Sequence, residues 1–121
     1  MQFDSQLSQY RASAPDAVDR ILEIDTGSGP EPVGRCYLRQ AAQEHHLLDL
    51  AIRADWRGRG LGSAVLERLC ADAARAGVPL RLSVWQGNDG AIRLYRRLGF
   101  VEDGSAGGHL QLHWTPSEAK E

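Results

Sequence analysis

The chain has 121 residues, 42% of them hydrophobic and 25% charged, with a formal net charge of −2. That length supports one compact domain, taken as 1–121, and excludes a two-domain enzyme; the mixed charge excludes the clustered basic excess of a nucleic-acid binder. Cys36 and Cys70 are too few for a disulfide framework, no Cys/His cluster has metal-ligand spacing, and no apolar run approaches the ~20 residues of a membrane span. With neither a basic n-region nor an apolar h-region at Met1–Ser5, the expectation is a cytoplasmic protein with no metal, no nucleic acid and no membrane partner.

Phe3, Leu7 and Tyr10 stand at helical spacing and predict a short helix over 3–12. Residues 20–25 alternate with period two, T-G-S-G-P-E-P supplies turn chemistry, and 33–39 alternate again, so the pair reads as an antiparallel hairpin. A second turn leads to 45–52 (H-H-L-L-D-L-A-I), an apolar and more central strand. Leu61, Val65, Leu69 and Ala73 then recur at i+4, an amphipathic helix stopped near Gly77 with Pro79 beyond. Residues 80–84 form a strand that this crossover places parallel to the third. A second helix over 89–98 carries Ile92, Tyr95 and Leu98 on one side with Gly99 as its cap. Phe100-Val101 begins a strand and 109–114 alternate as the last, before a frayed tail from 116. The order is α-β-β-β-α-β-α-β-β, an α/β (α+β) mixed sheet with helices packed on it.

Between the third strand and the first long helix lies Arg57-Gly58-Arg59-Gly60-Leu61-Gly62. Glycines admit close backbone approach, and the first N–H groups of a helix are unpaired and partly positive, so the loop suits an anion. A P-loop needs G-K-[ST], and Gly62-Ser63 lacks the Lys. A dinucleotide fingerprint needs a third glycine where Ser63 stands, and a tight strand-to-helix turn accounts for the loop equally well.

Two stretches together are more specific. Arg57, Gly60 and Gly62 match [Q/R]-x-x-G-x-[G/A], and Asn88 to Phe100 matches N-x-x-A-x-x-L-Y-x-[K/R]-x-G-F. In this the chain resembles the GNAT superfamily of acyl-CoA-dependent N-acyltransferases over about residues 18 to 115. The resemblance implies a splayed mixed sheet, a cofactor-binding core at about 45–100, and acetyl-CoA as co-substrate without a metal. It implies that the backbone N–H groups of Arg59, Gly60, Leu61, Gly62 and Ser63 hold the pyrophosphate. Leu50, Ala51 and Ile52 pair with the pantetheine arm, and Arg57, Arg59 and Arg97 meet the adenosine phosphates. Tyr95 is the expected proton donor to the leaving sulfur, against a core role beside Leu98. Asn88 either contacts pantetheine or simply caps its helix.

For the proton of the acceptor amine, the strand before the loop offers Glu44, His45, His46 and Asp49, and His46 is the expected base because imidazole titrates in the useful range. Strict alternation places His46, Leu48, Leu50 and Ile52 on one face and His45, Leu47, Asp49 and Ala51 on the other. Cys36, Cys70, Trp85 and Trp114 read as core, Trp56 as packing beside the loop, and His109 and His113 as solvent-facing. Against the family pattern the chain is expected to lack the first strand and first helix, leaving 20–25 as an unpaired edge and predicting a homodimer. The expected activity is N-acetyl transfer to a primary amine of a small molecule, a peptide or a protein. The alternative is a non-catalytic acyl-CoA-binding module.

Overall fold

The computed structural model describes residues 5–14 and 17–116. Its elements in chain order are β1 (Ser5–Ala14), β2 (Ala17–Asp25), β3 (Pro30–Gln40), β4 (His45–Ile52), α1 (Leu61–Ala76), β5 (Leu80–Trp85), α2 (Asp89–Arg97), β6 (Val101–Ala106) and β7 (His109–Trp114). The strands make one sheet in the order β1-β2-β3-β4-β5-β7-β6, with β4 and β5 its parallel pair. A parallel pair needs a crossover, and α1 supplies it.

The first expectation to fall is the N-terminal helix. Residues 5–14 are a strand that pairs antiparallel with β2 from Ser5↔Ile24 to Ala14↔Ala17. Its register slips between Gln9 and Arg11, so one extra residue separates positions that would otherwise alternate. A bulge of this kind gives a strand a three-residue apolar spacing, which mimics a helix in sequence. Phe3 lies outside the described residues. Because β1 covers β2, the edge expected at 20–25 is already paired, and the homodimer loses the premise it rested on. What the chain does lack between β1 and β2 is a helix, since only residues 15 and 16 link them.

The core sits on one side of the sheet. Leu66 and Leu69 of α1 and Ile92 of α2 join Leu22, Leu38, Leu80 and Leu112 of the strands in one buried cluster. Strand positions that alternate with these, among them Arg35, Tyr37, Arg81 and Ser83, are partly or fully exposed. Ion pairs occupy that second side, Arg35 with Asp19 at 2.6 Å and Arg81 with both Glu44 and Asp103 at 2.7 and 3.1 Å.

β4 carries a second bulge. Its register with β3 slips between Tyr37↔Asp49 and Leu38↔Leu47, so Leu48 has no opposite residue. The extra residue reverses the alternation halfway along the strand. His45 and Leu47 are buried before it, and Leu50 and Ile52 pack against the same core after it. The two faces expected from strict period two are therefore corrected: Leu50 and Ile52 share a side with His45 and Leu47, whereas Asp49 turns to the opposite side with Tyr37. The parallel ladder to β5 ends at Leu47↔Leu82. Beyond that pair the two strands part.

Candidate active site

The first part of the site is the turn from β4 into α1. A 3-10 turn at Ala54–Trp56 follows the strand, held where the Arg53 guanidinium donates to both Asp55 carboxylate oxygens at 2.9 and 2.6 Å and to the Pro32 carbonyl at 2.6 Å. Gly58 and Gly60 then adopt φ of 75° and 83°, a left-handed conformation that strains any residue with a Cβ. Gly60 is the N-cap of α1 and offers no capping side chain, and the first turn holds no acidic residue. The helix hydrogen bonds begin with Ala64 N–H donating to the Gly60 carbonyl at 3.1 Å. The N–H groups of Leu61, Gly62 and Ser63 precede that first bond, so they present a positive backbone end that no capping side chain and no first-turn acidic residue neutralises among the described residues.

Gly60, Leu61, Gly62 and Ser63 line a cavity of about 400 Å³ together with Trp56, Arg57, Leu94 and Arg97. Arg57 and Arg97 thus border the cradle. Arg59 does not line this cavity and stacks over the Trp56 ring at 4.5 Å instead, a cation–π contact on the cradle's flank. The Arg57 Nε donates to the Ile52 carbonyl at 2.9 Å, tying the loop to the end of β4.

The second part is the gap between the parted strands. Leu50, Ala51 and Ile52 line a cavity of about 740 Å³ whose other wall is α2, through Asn88, Ala91, Leu94 and Tyr95. It shares Ile52, Arg57 and Gly62 with the cradle. Position 34 explains how β4 comes so close to β3 here. A Cβ on Gly34 would collide with the Ala51 carbonyl oxygen and lie 3.2 Å from Ile52 Cδ1. Asn88 caps α2, its side-chain oxygen accepting from Ala91 N–H at 3.2 Å, and it also borders the cavity.

A third cavity, about 220 Å³, continues past Leu50, Asn88 and Tyr95 to Asp49, Ser83, Trp85 and His109. Tyr95 therefore stands where the second and third cavities meet. Its ring packs at 5.6 Å from that of Phe100, and burial raises its phenol above the ordinary value, so the hydroxyl keeps its proton at neutral pH. His46 is not among the residues lining these cavities. It lies in the paired half of β4, opposite Arg39 on one side and Arg81 on the other, with burial lowering its pKa. Of the four residues weighed as a base, Asp49 is the one that reaches the gap, because the bulge at Leu48 rotates it there.

Trp85, read from sequence as core, is 57% exposed, and His109 at the same mouth packs edge-on to it at 5.7 Å. Period two locates such residues on a strand but does not say that the strand's end opens into a cleft. The glycines at 87 and 108 were the available signal. Cys36 and Cys70 are buried as expected.

Comparison with known proteins gives the family. The family model described as acetyltransferase (GNAT) family matches residues 5–100. A curated relative, an uncharacterised N-acetyltransferase of Methanocaldococcus jannaschii, is 34% identical over 76 residues, covering 61% of this chain and 32% of its own. Among solved structures, an acetyltransferase from Thermus thermophilus aligns with a TM-score of 0.68 at 30% identity, over 84% of this chain and 64% of that one. The PaiA N-acetyltransferase from Thermoplasma acidophilum, solved in complex with coenzyme A, aligns with a TM-score of 0.71 at 19% identity over 83% and 61%, a likeness of fold alone. The chain spans about a third of the curated relative's length and under two-thirds of these two structures'.

Proposed function

The chain belongs to the acetyltransferase (GNAT) family, and on that premise we propose that it transfers an acetyl group from acetyl-CoA to a primary amine. One observation carries the proposal. The three cavities share lining residues in sequence, from an uncapped helix N-terminus through the β4–β5 gap to an open mouth, with Tyr95 at the last junction. Such a path matches a ligand with phosphates at one end and a thioester at the other.

The residues present fit that ligand. The N–H groups of Leu61, Gly62 and Ser63, with Arg57 and Arg97 beside them, hold the pyrophosphate, because glycine at 60 and 62 leaves no side chain over the cradle. Arg59, stacked on Trp56, contributes charge from the flank. Leu50, Ala51 and Ile52 offer a strand edge that β5 has left, to which an amide-bearing arm adds by main-chain hydrogen bonds. Acetyl-CoA supplies an activated acetyl thioester. Asp49 takes the proton of the acceptor nitrogen, directly or through one water, as the new C–N bond forms. Tyr95 donates its hydroxyl proton to the sulfur as the C–S bond breaks, and Asn88 fixes the start of the helix that carries it.

Release of free thiol from acetyl-CoA, followed with and without a panel of primary amines, tests this. The expected result is thiol release that depends on the amine and yields the N-acetyl product by mass spectrometry. Calorimetric binding of CoA with no amine-dependent release would contradict it and leave the second reading, a non-catalytic acyl-CoA-binding module. That reading is favoured by the two-residue link between β1 and β2, which leaves no helix between those strands to wall the acceptor side.

A further inference from the structure

The turn that leads into the cradle is held by polar contacts more than by packing. No residue of the 3-10 turn at Ala54–Trp56 is buried, and Trp56 alone leans on the core. The loop beyond it carries glycine at 58 and 60, and a Cβ at Gly58 would meet no atom within 4 Å. Such a segment has many conformations open to it, and fixing one costs free energy. Arg53 supplies what packing does not. Its guanidinium donates to both carboxylate oxygens of Asp55 in the turn, to the Pro32 carbonyl of β3 and, at 3.0 Å, to the Glu31 carboxylate beside it. Its backbone N–H donates to the Val33 carbonyl at 2.7 Å, and its own carbonyl accepts from Trp56 N–H at 2.9 Å. Three consecutive residues of β3 thus accept from one residue. Carbonyls of a regular strand point alternately to its two edges. The register of β3 with β2 slips between Leu22↔Gly34 and Glu23↔Pro32, which leaves Val33 unopposed and turns the Pro32 and Val33 carbonyls together towards Arg53.

Arg53 lines none of the three cavities, so its influence on a ligand there runs through the turn. The side chains of Arg53, Glu31 and Asp55 all reach solvent, and an isolated surface ion pair contributes little to the stability of a whole domain. Here one guanidinium closes four contacts, two of them in parallel on one carboxylate, so the cost of ordering it is shared among them. The effect is local to the segments it joins, the start of β3 and the turn before the cradle. Local order matters for binding, because a loop already in place when its ligand arrives has less freedom to lose. We propose that Arg53 is a positioning residue for acetyl-CoA: by clamping the turn at 54–56 to the bulged start of β3 it presets the cradle at 57–63, so cofactor affinity depends on it and turnover does not. This rests on the acetyl-transfer reading above.

Calorimetric titration of acetyl-CoA into Arg53→Ala, beside amide hydrogen exchange of the ligand-free protein, tests this. The expected Kd is about tenfold weaker than wild type, with KM for acetyl-CoA raised by the same factor and kcat at saturating acetyl-CoA unchanged. Exchange is faster over residues 54–63 and unchanged in β2 and the later turns of α1. Arg53→Lys keeps the charge but loses the fork, and binds acetyl-CoA like Arg53→Ala. Asp55→Asn weakens affinity in the same direction. Added to Arg53→Ala it has no further effect, since the contact it alters has already gone. Should Arg53→Ala not fold, Asp55→Asn decides on the same readouts. Wild-type Kd in the folded variant, additive effects of the two substitutions, or a fall in kcat with Kd unchanged would overturn the clamp. So would lower thermal stability with faster exchange throughout and unchanged Kd, the mark of a merely structural residue. If the wild-type protein binds no acetyl-CoA, the acetyl-transfer reading itself fails, and exchange alone decides the clamp. Acceleration confined to 54–63 sustains it; no acceleration, or acceleration everywhere, overturns it.

Discussion

In the proposed reaction Tyr95 and Asp49 divide the proton traffic because their surroundings differ. The phenol is partly buried against Phe100 with its pKa raised by burial, so it is a donor held protonated. Asp49 lines the open end of the gap, where the proposed acceptor enters. Tyr95→Phe keeps the ring and its contact with Phe100 but removes the proton. It is expected to lower kcat about 100-fold with little change in KM for acetyl-CoA or in thermal stability, measured by steady-state kinetics and thermal unfolding. The pH dependence follows from the sign of the shift. A raised folded pKa means the protonated form, and the stability tied to it, is intact below the ordinary phenol value of 10.0 and is lost only as pH rises through the higher folded value. The wild-type rate therefore has a Tyr95-linked loss above about pH 10, which the phenylalanine variant lacks. A cysteine route is closed by the same physics: burial pushes the Cys36 thiol up to about 11 and Cys70 up to about 12, leaving neither as a thiolate at neutral pH.

β4 is the element on which the site turns. One bulged residue, Leu48, makes its first half a paired core strand and its second half a cleft edge. Gly34 lets β3 approach that edge closely enough to hold it. Gly34→Ala forces a Cβ onto the Ala51 carbonyl, a backbone atom that cannot swing aside, and is expected to cost ~1–3 kcal/mol. The denaturant midpoint falls accordingly, and acetyl-CoA affinity falls with it because the displaced segment is the strand edge at Ala51 and Ile52. Sequence patterning located β2 to β5, β7 and both helices, because period two and the i+4 stripe survive wherever an element is regular. It failed where a bulge inserts a residue. At β1 the slip near Tyr10 imitated a helix, and at β4 the slip at Leu48 moved Asp49 to the side of the sheet opposite Leu47 and Leu50. The cradle and the α2 helix were legible for a different reason. Glycines at 58, 60 and 62 and the Asn88 cap are local requirements of backbone geometry, which a sequence states directly. An exposed Trp85 was not, since its placement depends on two distant turns meeting through Gln86 and Gly108.

At the scale of the molecule, the core lies to one side of the sheet and the three adjoining cavities run from that side to the other. The cradle opens beside α1, and the acceptor mouth, with Asp49, Ser83 and Trp85, opens on the face that Arg35 and Arg81 stabilise by ion pairs. In the proposed reaction the two substrates approach from different sides and meet at Tyr95. The central claim is that the backbone end of α1 holds the phosphates of acetyl-CoA, and Gly62 tests it most directly. A Cβ there would meet only Leu94 Cδ2 at 3.8 Å, an ordinary contact, and a carboxylate in the first turn favours the helix. Calorimetric titration of acetyl-CoA into Gly62→Asp, beside thermal unfolding of the same variant, separates folding from binding. The expected result is unchanged or raised thermal stability with acetyl-CoA affinity lowered at least 100-fold, about 2.7 kcal/mol. Acetyl-CoA binding at wild-type affinity to a folded Gly62→Asp protein would contradict it.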